Sequence, residues 1–232
     1  MKCILLHGLG QTPADWNNTV KNLDERFESN CPALFDWLQG TEFSYTNLYQ
    51  GFEKYCDQFD EPLVLGGLSL GGILALQYAI EHSNKVQSLI LMGTQFSMPK
   101  NLLKIQNIVF HFLPNRAFRE MGASKKEIIS LCNSMMSLDF TDDLEKIHCR
   151  TLILCGEKDK ANYAASVHLK EKIVTSELSV VCNAGHEINK DDPEKLSEII
   201  NAFLLQKQKE VTAEAPQLTV TSFSNTGGPT YW

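Results

Sequence analysis

The chain has 232 residues, of which 43% are hydrophobic and 21% charged, and its formal net charge is −7. That composition supports one domain with a sizeable core and excludes a disordered or fibrous chain. An acidic balance gives no electrostatic footprint for nucleic acid or anionic lipid.

Short apolar runs alternate with helical periodicity along the chain. A strand over 2–6 opens it, with no apolar leader or cleavage site ahead, and is followed by the turn His7-Gly8-Leu9-Gly10-Gln11-Thr12. A helix is expected over 13–23, with Pro13 in its first turn behind a capping Thr12. Further strands are expected over 32–37, 62–67, 86–92, 150–155 and 178–183. Between and after them, helices are expected over 45–58, 70–82, 160–174 and 193–209, the last opened by Asp192-Pro193. Such alternation implies right-handed βαβ units around a parallel sheet, and the unbroken apolar runs fit strands buried on both faces.

One interval interrupts the alternation. From Phe96 to about Ile147 no strand is evident, only helix-like pieces near 100–112 and 124–138. The first is apolar nearly all round and must be covered on more than one side. It reads as a helical cap, residues 97–147, inserted into a core of 1–96 and 148–209; two ordinary packing helices are the alternative. Residues 210–232 are rich in Thr, Ser, Gly and Pro and read as a flexible or expression-derived tail, although Leu218–Phe223 alternates like a strand.

Cysteines stand at 3, 31, 56, 132, 149, 155 and 182, with no C-x-x-C spacing. A metal or redox motif is therefore unsupported, and Cys3, Cys155 and Cys182 read as small core hydrophobes in strand-like runs. No apolar run is long enough to span a bilayer, and a cytoplasmic setting without metal or cofactor is expected.

The chemistry concentrates at Gly67-Leu68-Ser69-Leu70-Gly71, a G-x-S-x-G pattern between an apolar strand and an apolar helix. Such an elbow holds a serine on a sharp turn, and glycines two residues either side let strand and helix approach. A serine hydroxyl needs a base to take its proton as it attacks. His186, in Asn183-Ala184-Gly185-His186-Glu187, follows the last expected strand; Asp159 closes Gly156-Glu157-Lys158-Asp159 after the one before. Groups just past strand C-termini in a parallel sheet converge on one edge. Glu157 competes with Asp159, and Asp191 or Asp192 could partner His186 instead. The His7-Gly8 turn can present the Leu9 N–H to an oxyanion beside the N–H of Leu70. His7 itself reads as a structural hydrogen-bonder rather than a second base.

With the elbow, the G-E-x-D acid, the G-H histidine and the H-G turn spread over 1–209, the chain resembles the α/β-hydrolase serine hydrolases, notably small bacterial carboxylesterases with a cap. The resemblance implies a minimal, mostly parallel α/β sheet of about six strands flanked by helices. It also implies Ser69 as nucleophile, Asp159 as acid, His186 as base, and Leu9 and Leu70 as oxyanion donors. A serine rather than an aspartate nucleophile favours acyl transfer. A small-molecule acyl substrate is expected, with Phe96, Met98, Phe110, Phe112, Met135 and Met136 as candidate pocket residues. The same triad could serve an esterase, thioesterase, lactonase, C–C bond hydrolase or aminopeptidase, and the fold could also act as a non-catalytic ligand-binding protein.

Overall fold

The structure is a computed structural model that describes residues 1–98, 115–120 and 122–206. Six strands form one parallel sheet in the order β2-β1-β3-β4-β5-β6: β1 Lys2–Leu6, β2 Glu28–Asn30, β3 Leu63–Leu68, β4 Val86–Met92, β5 Arg150–Gly156 and β6 Ser176–Val181. Side chains alternate across each strand. Ile4, Leu6, Leu63, Leu65, Leu89, Leu91 and Ile153 therefore enter one core cluster, and Cys3, Leu5, Val64, Ile90, Met92, Leu152 and Leu154 enter another. Burial on both faces explains why these strands read as continuous apolar runs.

Helices cover both faces. The helices α1 Asn17–Lys21, α2 Tyr45–Cys56 and α3 Leu70–Glu81 follow the first three strands. Of these, α2 and α3 pack into the first cluster, and α1 sits against the C-terminal helix on the opposite face. The expected helix over 13–23 divides into a 3-10 turn, Pro13–Trp16, and α1. No described helix is long and apolar enough to cross a membrane.

The expected strand over 32–37 is not formed. Only Glu28–Asn30 pairs with β1, and Leu34–Leu38 is a 3-10 helix. Two physical reasons account for this. Pro32 has no N–H for a ladder, and Leu34, Phe35 and Leu38 are buried together, a helical spacing that alternation would split between faces. Cys182 also departs from expectation: it is exposed just beyond β6, whereas Cys3 and Cys155 are buried, and all seven cysteines are free.

Between β4 and β5 lies the insertion. Its described α-helices are α4 Asn115–Glu120 and α5 Lys125–Ser134, the latter capped by Ser124. The two ends of the insertion are tied by an antiparallel bridge, Ser97 opposite Asp139. The Met98 N–H donates to Leu138 O (3.0 Å) and the Phe140 N–H to Phe96 O (2.8 Å). Phe118, Ile128, Leu131 and Met135 bury into the first core cluster, so the insertion is packed against the body. The expected piece near 100–112 and the tail 210–232 lie outside the described residues. The fold closes with α6 Lys160–Lys172, α7 Ile188–Asp191 and α8 Pro193–Leu205.

Candidate active site

In the strand order, β1 lies between β2 and β3, so the chain reverses its direction of winding at the β1/β3 pair. Ligand crevices in open parallel sheets form outside the strand C-termini at such a point. The His7 turn leaves β1 there and Ser69 leaves β3.

Ser69 has φ 52° and ψ −111°, a conformation that L-residues rarely adopt. Holding it costs on the order of 1–3 kcal/mol, offset here by the packing around the turn. A Cβ on Gly67 would overlap the Gly71 backbone, and one on Gly71 would overlap Leu6 O, so both positions demand glycine. The N–H of Leu70, first residue of α3, lies in the first turn, where amides have no partner within the helix. Among the described residues, no hydrogen bond joins the Ser69 hydroxyl to His186. The two are linked through the backbone: the Ser69 N–H donates to Met92 O (2.9 Å), and the next residue, Gly93, abuts the His186 ring.

Asp159 and His186 do meet. His186 Nδ1 lies 2.7 Å from Asp159 Oδ2, and the carboxylate is buried while the imidazole is half-exposed. Asp159 occupies the N-cap position of α6 but makes no side-chain capping bond. Its oxygens are engaged elsewhere. Asn162 Nδ2 donates to Oδ1 and Oδ2, both at 2.9 Å, and Asn162 Oδ1 accepts from Gln95 Nε2 at 2.8 Å. Burial pushes the Asp159 pKa up, but the bonds from His186 and Asn162 prevail and hold it below the ordinary carboxylate value. Such an acid is ionised at neutral pH and orients the imidazole, leaving Nε2 for proton transfer.

The competing acids are used differently. Glu157 Oε2 accepts the Asn183 N–H (2.8 Å), Asp191 Oδ2 accepts the Gly185 N–H (2.6 Å), and Asp192 caps α8 through the Lys195 N–H (3.0 Å). The first two brace the backbone leading into His186 rather than its ring.

On the opposite lip, the Gln11 N–H closes a turn on Gly8 O (3.2 Å), with Leu9 and Gly10 at its centre. His7 is buried beneath it; Nδ1 lies 2.9 Å from Gly8 O, and Nε2 accepts the Leu34 N–H at 3.3 Å. Nε2 thus acts as acceptor and Nδ1–H as donor, which fits a neutral structural ring. Burial lowers its pKa, only partly opposed by Gly8 O and Asp15.

Several residues that hold this geometry escaped the sequence reading. Gln95, Asn162 and Asn189 belong to no motif, Gln11 was read only as part of the turn after β1, and their polar side chains gain significance only from burial or partners. Gly93 could have been suspected, as a glycine closing an apolar strand. Of the candidate pocket residues, Met98 and Met135 are buried in the first core cluster, while Phe96 and Met136 pack against it. Phe110 and Phe112 lie outside the described residues. Among the described residues, Glu53, Glu81 and His82 form a group whose ligand atoms lie within 4.8 Å. His82 Nε2 pairs with Glu53 Oε1 and Glu81 accepts from Tyr49 and Gln77, near the far end of α3, about 18 Å of helix from Ser69.

Comparison with known proteins places the fold. A family model described as "Alpha/beta hydrolase family" matches residues 3–199. A proline iminopeptidase of Pestalotiopsis fici is 25% identical, over 80% of this chain and 85% of that protein. A pimeloyl-[acyl-carrier protein] methyl ester esterase of Aliivibrio salmonicida is 21% identical, over 96% of this chain and 87% of that protein. Among solved structures, the enol-lactonase of Burkholderia xenovorans superposes with a TM-score of 0.76 at 15% identity, covering 88% of this chain and 91% of that one.

Proposed function

The chain belongs to the alpha/beta hydrolase family, and on that premise we propose that it is a serine hydrolase of small carboxylic esters with an apolar acyl or alcohol part. The observation that carries this reading is the 2.7 Å pairing of His186 with buried Asp159 at the sheet edge where strained Ser69 leaves β3.

In the proposed reaction, Ser69 Oγ attacks the ester carbonyl carbon while His186 Nε2 takes its proton. The negative charge that develops on the carbonyl oxygen is met by the N–H groups of Leu9 and Leu70, each worth roughly 3 kcal/mol in the transition state. Collapse expels the alcohol, protonated by His186, and leaves an acyl-Ser69 ester. Water, deprotonated by His186, then attacks that ester and frees the acid and Ser69. Contacts between nucleophile and base in ligand-free sites are commonly loose and tighten around substrate. The insertion at 97–147 serves as the cap over the crevice.

A fluorophosphonate probe should label the wild type and not Ser69→Ala. Labelling that persists in that variant would remove Ser69 from the mechanism. A panel of p-nitrophenyl esters, acyl thioesters, lactones and aminoacyl amides ranks the bond types. Faster turnover of a thioester, lactone or amide would replace the ester assignment while keeping the triad.

A further inference from the structure

The first half of the insertion is electrostatically unlike the rest of the chain. Residues 100–126 carry six Lys and Arg (Lys100, Lys104, Arg116, Arg119, Lys125, Lys126) against one acid, Glu120. That is a net +5 within a chain of net −7. A cavity of about 560 Å³ is lined by Asn115, Arg119, Ser124, Lys125, Lys126 and Ile129 of helices α4 and α5 and the turn between them. Three cations and no acid line it among the described residues. Lys125 Nζ lies over the Phe118 ring, 5.7 Å from its centroid, which restrains the ammonium. Glu127, next to Lys126, is held by the Ser124 N–H (2.7 Å) in the cap of α5.

One residue of this cavity also faces the turn after β1. Arg119 also lines a second cavity, of about 230 Å³, shared with His7 and Gln11 of the turn after β1 and with Phe35 and Asp36. The second cavity includes an acid, so the place for an anion is the larger one, and Arg119 stands between it and the turn that carries Leu9.

Building on the ester-hydrolase reading, we propose that Arg119, with Lys125 and Lys126, binds an anionic group, carboxylate or phosphate, on the part of the substrate remote from the scissile ester. A guanidinium presents paired N–H donors that match either anion, and the two ammonium groups raise the local potential that draws it in. An apolar segment between ester and anion fits a crevice roofed by the cap.

The test uses esters of equal length whose far end is a carboxylate, a phosphate or a methyl group. Wild type should favour the anionic esters by about tenfold in kcat/KM, chiefly through KM, and the preference should shrink as salt rises. Arg119→Gln combined with Lys126→Gln should bring the anionic-to-neutral ratio to about one, whereas Lys195→Gln, remote on α8, should leave that ratio intact. The carboxylate and phosphate arms identify which anion is preferred. Equal turnover of charged and neutral esters by wild type, or an unchanged ratio in the double variant, would overturn the proposal. So would a double variant that loses binding to vesicles of anionic phospholipid while keeping its ester selectivity, since the basic face would then be a membrane-facing surface. Fluorophosphonate labelling separates the two readings: failure to label wild type removes the hydrolase, and labelling without charge preference removes only the anion site.

Discussion

Gln11 and Asn189, 178 positions apart in the chain, exchange a reciprocal pair of amide hydrogen bonds. Gln11 Nε2 donates to Asn189 Oδ1 (3.0 Å) and Asn189 Nδ2 to Gln11 Oε1 (3.2 Å). Both side chains are 1% exposed. Gln11 Oε1 also accepts the Gly8 N–H (3.3 Å), and its Nε2 reaches Glu187 beside His186 (3.0 Å). One amide thus ties the Leu9 turn to the histidine loop. Truncating it strands buried polar groups, at roughly 1–3 kcal/mol. Gln11→Ala and Asn189→Ala should each destabilise by about 2 kcal/mol, with a coupling near 1 kcal/mol in a double-mutant cycle. Additive denaturation free energies would show that the pair is not coupled.

The strain at Ser69 makes a second expectation. Ser69→Ala keeps a Cβ at φ 52°, whereas Ser69→Gly relieves it. Both variants should lose esterase activity, yet Ser69→Gly should be the more stable of the two by about 1 kcal/mol. Urea denaturation decides it; a glycine variant less stable than the alanine one would refute strain at the elbow.

Gly93 sits at φ 52°, and a Cβ there would come within 2.9 Å of His186 Cε1 and Nδ1 and 3.2 Å of Asp159 Oδ2. In Gly93→Ala the imidazole must therefore shift. Misplacement by about 1 Å can cost on the order of 100-fold, so kcat/KM should fall by that much in a protein whose circular dichroism is intact. An unchanged rate would mean that the ring is not held against Gly93 during turnover.

Buried His7 gives an acid-sensitive stability with a definite sign. Its folded pKa lies below the ordinary value near 6.5, chiefly through burial. Between those two values the unfolded chain binds a proton that the folded chain does not. The stabilisation is thus full above about pH 6.5 and declines with falling pH until the folded pKa is reached, at up to about 1.4 kcal/mol per unit. His7→Gln, which keeps an acceptor for the Leu34 N–H, should show a shallower loss between pH 7 and 5. Parallel stability curves for the two proteins would exclude His7 as the source.

Much of the site was legible because the chemistry is written locally. Gly-x-Ser-x-Gly marks an elbow by sterics alone, since Gly67 and Gly71 face backbone where no Cβ fits. The partnership of Asp159 with His186 was harder, because Glu157, Asp191 and Asp192 are all acids near strand ends. The resemblance singled out Asp159, and in the structure Glu157 and Asp191 are spent on the Asn183 and Gly185 amides. The expected strand over 32–37 failed for a related reason: apolarity there reflected burial of a 3-10 helix, and composition does not distinguish the two.

By itself, the sequence determined the parallel α/β sheet, the order of its elements and the residue types at three strand ends. Apolar periodicity and glycine sterics act within a few residues and need no distant partner. Only the tertiary structure decided that Glu157 and Asp191 are spent on backbone amides, how Gln11 and Asn189 clamp the two lips, and that Arg119, Lys125 and Lys126 share a cavity. The Glu157 and Gln11 contacts join segments tens to hundreds of residues apart, and their energies exist only once the sheet has brought the segments to one edge.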